Sequence, residues 1–400
     1  MALYDPLTGL PDRALFGDRL RQSMARADRR KGALAVLLVD LGAEASKKSV
    51  SKVAASLAER VRRTDTVARF DADRFAIIQT DLDRVAEATF LAQKLLDGLE
   101  AQTCVGIALY PDDATEPEAL IELAAGALQT ARQRQAPFAY SARETTDAAL
   151  DSVRLARDLR GALKDGQLRM HYQPKLEISS GRVTGAEALM RWEHPNRGML
   201  TPDIFLNVAR ESDLIVPLGS WALHQACRDA AAWDDVEVAV NVEAEQFAEP
   251  DFTGDVEAAL AASGLPSSRL ELEITEASLM REPDHVVDIM VGLGKSGVSI
   301  TVDDFGTGYS SLAYLRRFPV DALKIDRAFI TELPGNAEDA AIVRAVISLA
   351  AALNLQVVAE GVASRAQLDF LAAEGCDIAQ GYLIGKPLPP NEFARLLKER

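Results

Sequence analysis

The second part of the sequence repeats one unit, an apolar strand-like run followed by an amphipathic helical run. Eight such strands are predicted after residue 150, and apolar residues at helical spacing fill most of the intervals between them. About 250 residues of this alternation are typical of a (β/α)8 barrel of the TIM type, an α/β fold. The predicted strands cover residues 169–178, 183–192, 236–242, 270–275, 298–305, 322–325, 355–359 and 378–383.

The connection between the first two strands departs from the repeat. Residues 178–182 read Ile-Ser-Ser-Gly-Arg, which is too short for a crossover between parallel strands. We therefore expect the first barrel strand to run antiparallel to the second.

The first part of the chain predicts a separate α+β unit of the ferredoxin-like or palm-like type. A hairpin turn lies at residues 70–75, and a polar, small-residue stretch at 141–149 separates this unit from the barrel. The predicted domains are therefore residues 1–142 and 143–400. Strands are predicted at 33–41, 66–70, 75–80 and 103–110, and helices at 11–27, 50–63, 85–99 and 116–134.

Composition excludes several classes of function. The formal net charge of −16 argues against binding to duplex nucleic acid, which depends on clustered Lys and Arg. No apolar stretch reaches the roughly 18 residues of a membrane span, and the first twenty residues lack an apolar signal core. Cys104, Cys227 and Cys376 are far apart, so buried thiols are expected rather than disulfides or a zinc site. We expect a cytoplasmic protein.

Polar side chains stand near the carboxyl end of every predicted barrel strand from the second onward. Barrel strands deliver such side chains to one shared mouth, where active sites of this architecture lie. Carboxylates gathered there repel one another unless cations lie between them, so the pattern predicts a site for oxygen-preferring metal ions. The residues are Glu187, Asn241, Glu273, Asp303, Asp304, Lys324, Asp326, Glu360 and Gln380.

The adjacent carboxylates Asp303 and Asp304 can bridge two cations, which indicates two-metal hydrolysis of a phosphate ester. Two interpretations of Lys324 stay open: it orients or deprotonates the attacking water, or it forms a salt bridge with Asp326 or Glu360. Asn241 is either a neutral oxygen ligand or an amide that caps the backbone.

The order of these residues resembles one family. The chain reads Glu187-Ala-Leu with Arg191-Trp192, then Asn241, Glu-Ile-Thr-Glu at 273–276, Asp-Asp-Phe-Gly-Thr-Gly-Tyr-Ser-Ser at 303–311, Lys-Ile-Asp at 324–326, Glu-Gly-Val at 360–362 and Gln-Gly-Tyr at 380–382. This series is similar to the EAL-domain cyclic-di-GMP phosphodiesterases, from about residue 150 to the end.

The resemblance implies a role for each site residue. Mg²⁺ or Mn²⁺, two per active site, is the expected cofactor, cyclic-di-GMP the substrate and a homodimer the expected assembly. One cation would be held by Glu187, Asn241, Glu273 and Asp303, and the second by Asp303, Asp304 and Glu360. Catalysis would involve Lys324 at the attacking water, Glu360, and Glu276 as a brace for the loop at 304–311. Nucleotide contacts would come from Gln173, Leu189, Arg191, Asp326 and Gln380.

One position departs from that family. Glu243 stands two residues after Asn241, where the family has Ser. If the strand continues to this point, Glu243 lies on the same face as Asn241 and perturbs metal affinity.

The first part resembles a GGDEF (diguanylate cyclase) domain that has lost its chemistry. Residues 5–13 are similar to the start of that family, and Asp40 lies where it has a metal-binding aspartate. Asp-Ala-Asp-Arg-Phe at 71–75 replaces Gly-Gly-Asp-Glu-Phe, so side chains replace the glycines that allow backbone to approach phosphate. Arg62 and Asp65 keep the spacing of a product-inhibition site, but a surface ion pair is the favoured interpretation.

Three hypotheses follow. The favoured one is hydrolysis of cyclic-di-GMP to linear pGpG, with a regulatory first domain that is not a cyclase. The second is an inactive cyclic-di-GMP receptor or protein-interaction scaffold, for which Glu243 is the support. The third is a bifunctional cyclase and phosphodiesterase, which the turn at 71–75 argues against. Binding of GTP or cyclic-di-GMP at the first domain stays a weaker expectation.

Overall fold

The computed structural model describes residues 3–42, 47–99, 102–279, 283–306, 315 and 317–399. Two compact units divide the chain between Asp158 and Leu159. No helix in the described ranges combines the length and apolarity of a membrane span. All three cysteines are buried free thiols, as predicted.

The first unit is a five-stranded sheet covered by helices on both faces. The strand order is β2-β3-β1-β4-β5, in which only β4 and β5 are parallel. The four predicted strands and four predicted helices are present, and the three-residue β5 was not predicted. The elements are α1 (Arg13–Arg30), β1 (Ala33–Asp40), α2 (Lys47–Arg60), β2 (Thr66–Arg69), β3 (Arg74–Leu82), α3 (Val85–Leu96), β4 (Cys104–Tyr110), α4 (Pro117–Gln133) and β5 (Phe138–Tyr140).

Strand β1 explains why this unit has two cores. Successive side chains of a strand point to opposite faces. Leu37 and Val39 lie in a cluster with apolar residues of α2 and α3, whereas Val36 and Leu38 lie in a cluster with those of α1 and α4. A fully apolar strand is therefore buried on both sides.

The division between the units lies inside helix α5 (Arg143–Lys164), 16 residues later than the boundary expected at 142/143. Near its start, the hydroxyl of Thr146 accepts a hydrogen bond from the backbone of Tyr140 at 2.9 Å. Later in the helix, Arg160 donates to the carbonyl of Ser212 at 3.4 Å. Most of the polar, small-residue stretch at 141–149 is therefore helical, and Ala149 and its apolar neighbours pack in the first core.

The second unit is a closed eight-stranded barrel. Hydrogen bonding runs in the order β6-β14-β13-β12-β11-β10-β9-β7, and β6 also pairs with β7 and closes the barrel. Strand β6 is antiparallel to both neighbours, as predicted, and the other seven barrel strands are parallel to one another. The strands are β6 (Leu168–Glu177), β7 (Arg182–His194), β8 (Gly198–Leu200, paired to the end of β7), β9 (Glu237–Val242), β10 (Leu270–Thr275), β11 (Ser299–Phe305), β12 (Ala322–Ile325), β13 (Gln356–Ala359) and β14 (Ile378–Gln380).

Helices surround this barrel and bury the outer faces of its strands. The last helix, which the sequence did not predict, packs Phe393 against Tyr172 of β6 and against Trp233, with ring centroids 6.1 and 4.7 Å apart. The helices are α6 (Pro202–Glu211), α7 (Ile215–Ala230), α8 (Ala244–Phe247), α9 (Phe252–Ser263), α10 (Glu276–Leu279), α11 (Pro283–Lys295), α12 (Arg327–Ile330), α13 (Ala337–Leu353), α14 (Arg365–Glu374) and α15 (Pro390–Glu399).

Candidate active site

Strand register brings the predicted site residues to one end of the barrel. Asn241 of β9 is level with Glu273 of β10, and Thr275 of β10 is level with Asp303 of β11. On the other side of β11, Ile325 of β12 is level with Ala359 of β13. Lys324 precedes this level by one residue on β12, and Glu360 follows it by one residue after β13. The carboxyl ends of the parallel strands therefore collect the acidic groups at a single mouth.

Lys324 lies at the centre of these acidic groups and is fully buried. Its Nζ is 2.7 Å from Oε2 of Glu273 and 2.7 Å from Oε1 of Glu360. The same ammonium is 3.3 Å from Oδ2 of Asp303 and 3.4 Å from Oε2 of Glu187. The salt bridge to Glu360 is thus present, so the two interpretations of Lys324 are compatible.

Asp326, the other predicted partner of Lys324, has a different contact. Its Oδ1 accepts a hydrogen bond from the backbone of Ala328 at 2.7 Å and caps helix α12. It also lies close enough to Asp304 to raise the pKa of that carboxyl, after burial, which is the larger cause. Asp326 therefore lies at the mouth of the barrel, directly after the carboxyl end of β12.

The protonation equilibria of the cluster reflect its excess of buried acid. Burial lowers the pKa of Lys324, but four surrounding carboxylates outweigh it and raise that pKa well above its ordinary value. Burial raises the pKa of Asp303 to about 8, with Lys324 opposing and neighbouring carboxylates reinforcing the rise. The pKa of Glu360 is raised chiefly by burial. Glu273 is the exception, since two lysines overcome burial and hold its pKa at about 2.

Asp303 and Asp304 face the same site although adjacent strand residues ordinarily point to opposite faces. The pairing of β11 with β12 is irregular between Val302 and Phe305, and Asp304 has a left-handed φ of 54°. The backbone N–H of Asp304 donates to Oδ1 of Asp303 at 2.8 Å. As a result, one carboxylate oxygen each from Asp303, Asp304 and Glu360 lies within 4.8 Å of the others, a set that can hold a metal ion.

Amide side chains hold the remaining acid, Glu187. Asn241 donates through Nδ2 to Oε1 of Glu187 at 2.7 Å. Gln380 donates through Nε2 to Oε2 of Glu187 at 2.5 Å, and to Oε1 of Gln173 at 3.3 Å. The amide nitrogen of Asn241 thus bonds a side chain of the site, and its amide oxygen is the neutral donor that a metal ligand needs.

The five predicted nucleotide-contacting residues all lie around the mouth. Gln173 and Gln380 belong to the amide network just described. Leu189 and Arg191 follow Glu187 at alternate positions of β7 and are half-buried on its face of the strand. With Asp326 beside Asp304, the structure brings together all five.

Glu276 begins helix α10 directly after β10 and is 9% exposed. Its Oε2 accepts a hydrogen bond from the backbone of Gly306 at 3.4 Å, so it contacts the start of the loop that it is predicted to brace. The rest of that predicted loop, residues 307–311, lies outside the described residues.

The expectation for Glu243 is wrong. Strand β9 ends at Val242, and Glu243 is the N-cap residue of helix α8. The alternation of side chains between the two faces of a strand therefore does not extend to Glu243. Its carboxylate pairs with Arg210 at 2.8 Å and accepts from the helix backbone. The charge that was expected to disturb Asn241 is therefore neutralised elsewhere.

Sequence reasoning missed a second buried cation, Lys175. Its Nζ lies 2.6 Å from Oε1 of Glu273 and 2.8 Å from Oε2 of Glu271. Lys175 follows Gln173 by two residues on β6, and Glu271 precedes Glu273 by two residues on β10. The strand period alone could have placed both side chains inside the barrel.

In the first unit, ion pairs occupy the positions that match the GGDEF signature. Asp40 is buried and paired with Arg132, and its Oδ1 accepts from the backbone of Gly42 at 2.8 Å. In the turn, Arg74 pairs with Asp71. Arginine side chains thus neutralise acids at the positions where the GGDEF resemblance places a metal and a phosphate.

The expected surface ion pair between Arg62 and Asp65 is also wrong. The carboxylate of Asp65 accepts from the backbone of Arg62 at 3.0 Å and of Thr80 at 3.1 Å. The Arg62 guanidinium instead faces Glu87 at 3.4 Å. A turn-type contact therefore explains this spacing.

Two family models match the chain. The EAL domain model matches residues 156–387, and the diguanylate cyclase GGDEF domain model matches residues 2–136. The chain belongs to the EAL-domain family and carries a GGDEF-family domain before the barrel. The two families read from the motifs, EAL and GGDEF, are thereby confirmed.

Similar proteins include two from Pseudomonas aeruginosa. The bifunctional diguanylate cyclase/cyclic di-GMP phosphodiesterase MucR is 39% identical, over 98% of this chain and 61% of its own length. The cyclic di-GMP phosphodiesterase NbdA is 39% identical, over 100% of this chain and 54% of its own length. This chain thus spans about half to two thirds of the length of these relatives. A solved structure, the PaMucR phosphodiesterase in complex with c-di-GMP, is 46% identical over 60% of this chain and 99% of its own, with a TM-score of 0.58.

Proposed function

We propose that the barrel unit hydrolyses one phosphodiester bond of cyclic-di-GMP and releases linear pGpG. The observation that carries this proposal is the single mouth at which four carboxylates contact the buried ammonium of Lys324, with the Asp304 carboxylate and the Asn241 amide beside them. The names of the relatives MucR and NbdA support the choice of substrate.

The donor set of the mouth fits two hard divalent cations. Glu187, Asn241, Glu273 and Asp303 would hold one, and Asp303, Asp304 and Glu360 the other. Among the described residues, five carboxylates contact Lys324 or Lys175, and Asp304 adds a sixth negative charge. The two ammonium groups offset only part of this acidic charge, and divalent cations such as Mg²⁺ or Mn²⁺ would offset the rest. Bound cations would supply Lewis-acid stabilisation of phosphoryl charge and a more acidic water.

The protein side chains would position the substrate and the attacking water and would place charge beside the phosphoryl group. The ammonium of Lys324 lies 2.7 Å from carboxylate oxygens of Glu273 and Glu360, so a hydrogen-bond donor is already positioned at the mouth and would donate to the attacking water or to a phosphoryl oxygen. Of its two predicted actions, orientation is therefore the one we propose. Gln173, Leu189, Arg191, Asp326 and Gln380 would contact the nucleotide.

We propose that the first unit regulates the barrel and does not synthesise cyclic-di-GMP. MucR carries a bifunctional name, which keeps cyclase activity as the competing function. Against it, Arg132 pairs with Asp40 and Arg74 pairs with Asp71 in the described part of the signature region. Binding of GTP or cyclic-di-GMP at this unit, and formation of a homodimer, stay predictions.

One experiment separates the hydrolase from the receptor. The protein is incubated with cyclic-di-GMP in Mg²⁺ and the nucleotides are resolved by chromatography, with a parallel binding isotherm in Ca²⁺. Conversion to pGpG supports the hydrolase. Saturable binding with unchanged nucleotide in Mg²⁺ would identify a receptor instead.

A further inference from the structure

Lys175 forms a second buried cationic contact in the barrel interior, besides that of Lys324. It lies on β6, the antiparallel strand, and is 2% exposed. Its Nζ lies 2.6 Å from Oε1 of Glu273, while Nζ of Lys324 lies 2.7 Å from Oε2 of the same carboxylate. The two oxygens of Glu273 thus contact two different ammonium groups.

A second carboxylate holds Lys175 in place. Oε2 of Glu271 lies 2.8 Å from Nζ of Lys175, and the hydroxyl of Thr301 donates to Oε1 of Glu271 at 2.5 Å. Glu271 precedes Glu273 by two residues on β10, so it lies one inward-facing position deeper in the barrel. Thr301, Glu271 and Lys175 together form a polar floor beneath the mouth, all three less than 9% exposed.

This arrangement restricts a torsion that is otherwise soft. The terminal torsion of a glutamate side chain has a broad energy minimum, so packing alone fixes its carboxylate plane poorly. Contacts to both oxygens from opposite sides remove that freedom. Lys175 lies deeper in the barrel and donates to Oε1 of Glu273. The other oxygen, Oε2, therefore faces Lys324 and the mouth.

We propose that Lys175 is a positioning residue, which fixes the Glu273 carboxylate so that a single oxygen is presented to the cation and substrate site. The inference rests on the proposed function, because it assigns Glu273 to a cation. Residues that orient a metal ligand commonly change metal affinity by about ten- to hundredfold when mutated. The competing explanation is that Lys175 only neutralises Glu271.

A pair of variants separates these explanations. Glu271→Gln is the matched control, because it removes the lower charge and leaves Lys175 bound to Glu273. Lys175→Met combined with Glu271→Gln is the test variant, since it removes the contact to Glu273 without leaving Glu271 as an unpaired buried charge. Mn²⁺ affinity is measured by calorimetry on the full chain without nucleotide, and kcat and KM for cyclic-di-GMP are measured separately.

We expect the control to bind Mn²⁺ within about threefold of the wild type and the test variant to bind about ten- to hundredfold more weakly. Turnover should fall in the test variant while KM stays near that of the control. Equal Mn²⁺ affinity in the two variants would overturn the inference. If the double variant does not unfold cooperatively, Lys175→Gln combined with Glu271→Gln is measured against Glu271→Gln, with the same loss expected and the same equality overturning it.

The metal measurement keeps this inference distinct from the proposed activity. Wild-type protein that binds Mn²⁺ but leaves cyclic-di-GMP intact would refute the hydrolase, and the calorimetric comparison of the variants would still decide the role of Lys175. Wild-type protein that binds no Mn²⁺ would refute both.

Discussion

The ammonium of Lys324 lies 2.7 Å from Oε2 of Glu273, and neither side chain is exposed to solvent. A buried ion pair of this kind costs desolvation that its own attraction offsets only with good geometry and further hydrogen bonds. Here the Glu273 carboxylate also contacts the ammonium of Lys175, and the Lys324 ammonium also contacts further carboxylates such as that of Glu360. The pair is thus the centre of a network whose excess negative charge fits added cations.

Replacement of Lys324 tests the centre of that network. Lys324→Met should lower kcat by about 10²- to 10⁴-fold, because a group that handles the attacking water is lost. In EDTA it should also destabilise the fold by about 3 to 5 kcal/mol, since buried carboxylates lose their partner. Steady-state kinetics and denaturant unfolding measure the two effects. Lys398→Met, at an exposed lysine of α15, is the control, and an equally small effect at both positions would contradict the account.

The raised pKa of Asp303 predicts a pH dependence of the cation-free protein. Its folded pKa of about 8 lies above the ordinary value of 3.8, so the folded state holds a proton that the unfolded chain releases. The associated stability is present at low pH and is lost as the pH rises toward and through 8. Melting temperature in EDTA should therefore fall between pH 6 and 9, by more than in Asp303→Asn. Identical pH slopes for the two proteins would refute this.

The brace contributed by Glu276 gives a different kinetic pattern. Glu276→Ala removes the acceptor for the backbone N–H of Gly306, two residues after Asp304, which is a predicted metal ligand. Turnover should fall more than nucleotide affinity measured in Ca²⁺, and high Mn²⁺ should restore part of the rate. Lys324→Ala should not respond to added Mn²⁺. Full activity of Glu276→Ala at low Mg²⁺ would reduce Glu276 to an ordinary carboxylate.

The first unit should make no cyclic-di-GMP from GTP. The Asp40 carboxylate is paired with Arg132, and Asp71 and Arg74 replace residues of the GGDEF turn. The assay uses GTP and Mg²⁺ with the Glu187→Ala variant, in which hydrolysis should be silent, so any product would accumulate. Detection of cyclic-di-GMP above a no-enzyme control would show that the cyclase site works.

The barrel and its mouth could be predicted because their signals are local. Apolar strands with a polar residue at the carboxyl end, such as Glu273 on β10, define both the strand and the direction of its side chain. Helix α15 and strand β8 were missed, because β8 has only three residues and α15 follows the last barrel strand, where the repeat stops.

The errors arose where one element ends and another begins. Glu243 looked like a continuation of β9, but it caps α8 and pairs with Arg210, a contact 33 residues away in sequence that spacing does not predict. Lys175 was missed for a different reason. The strand period places Lys175 inside the barrel, but a buried lysine is unfavourable without carboxylate partners, and its two partners lie on β10, 96 and 98 residues later in the chain.

The most direct measurement compares wild-type protein with Glu187→Gln, which keeps the shape of the side chain and removes one predicted ligand charge. Both are incubated with cyclic-di-GMP at a series of Mg²⁺ concentrations and in EDTA, and pGpG is quantified by chromatography. The account predicts Mg²⁺-dependent pGpG from the wild type, none in EDTA, and a strongly reduced rate for Glu187→Gln at every concentration. Equal rates for the two proteins, or undiminished pGpG formation in EDTA, would contradict it.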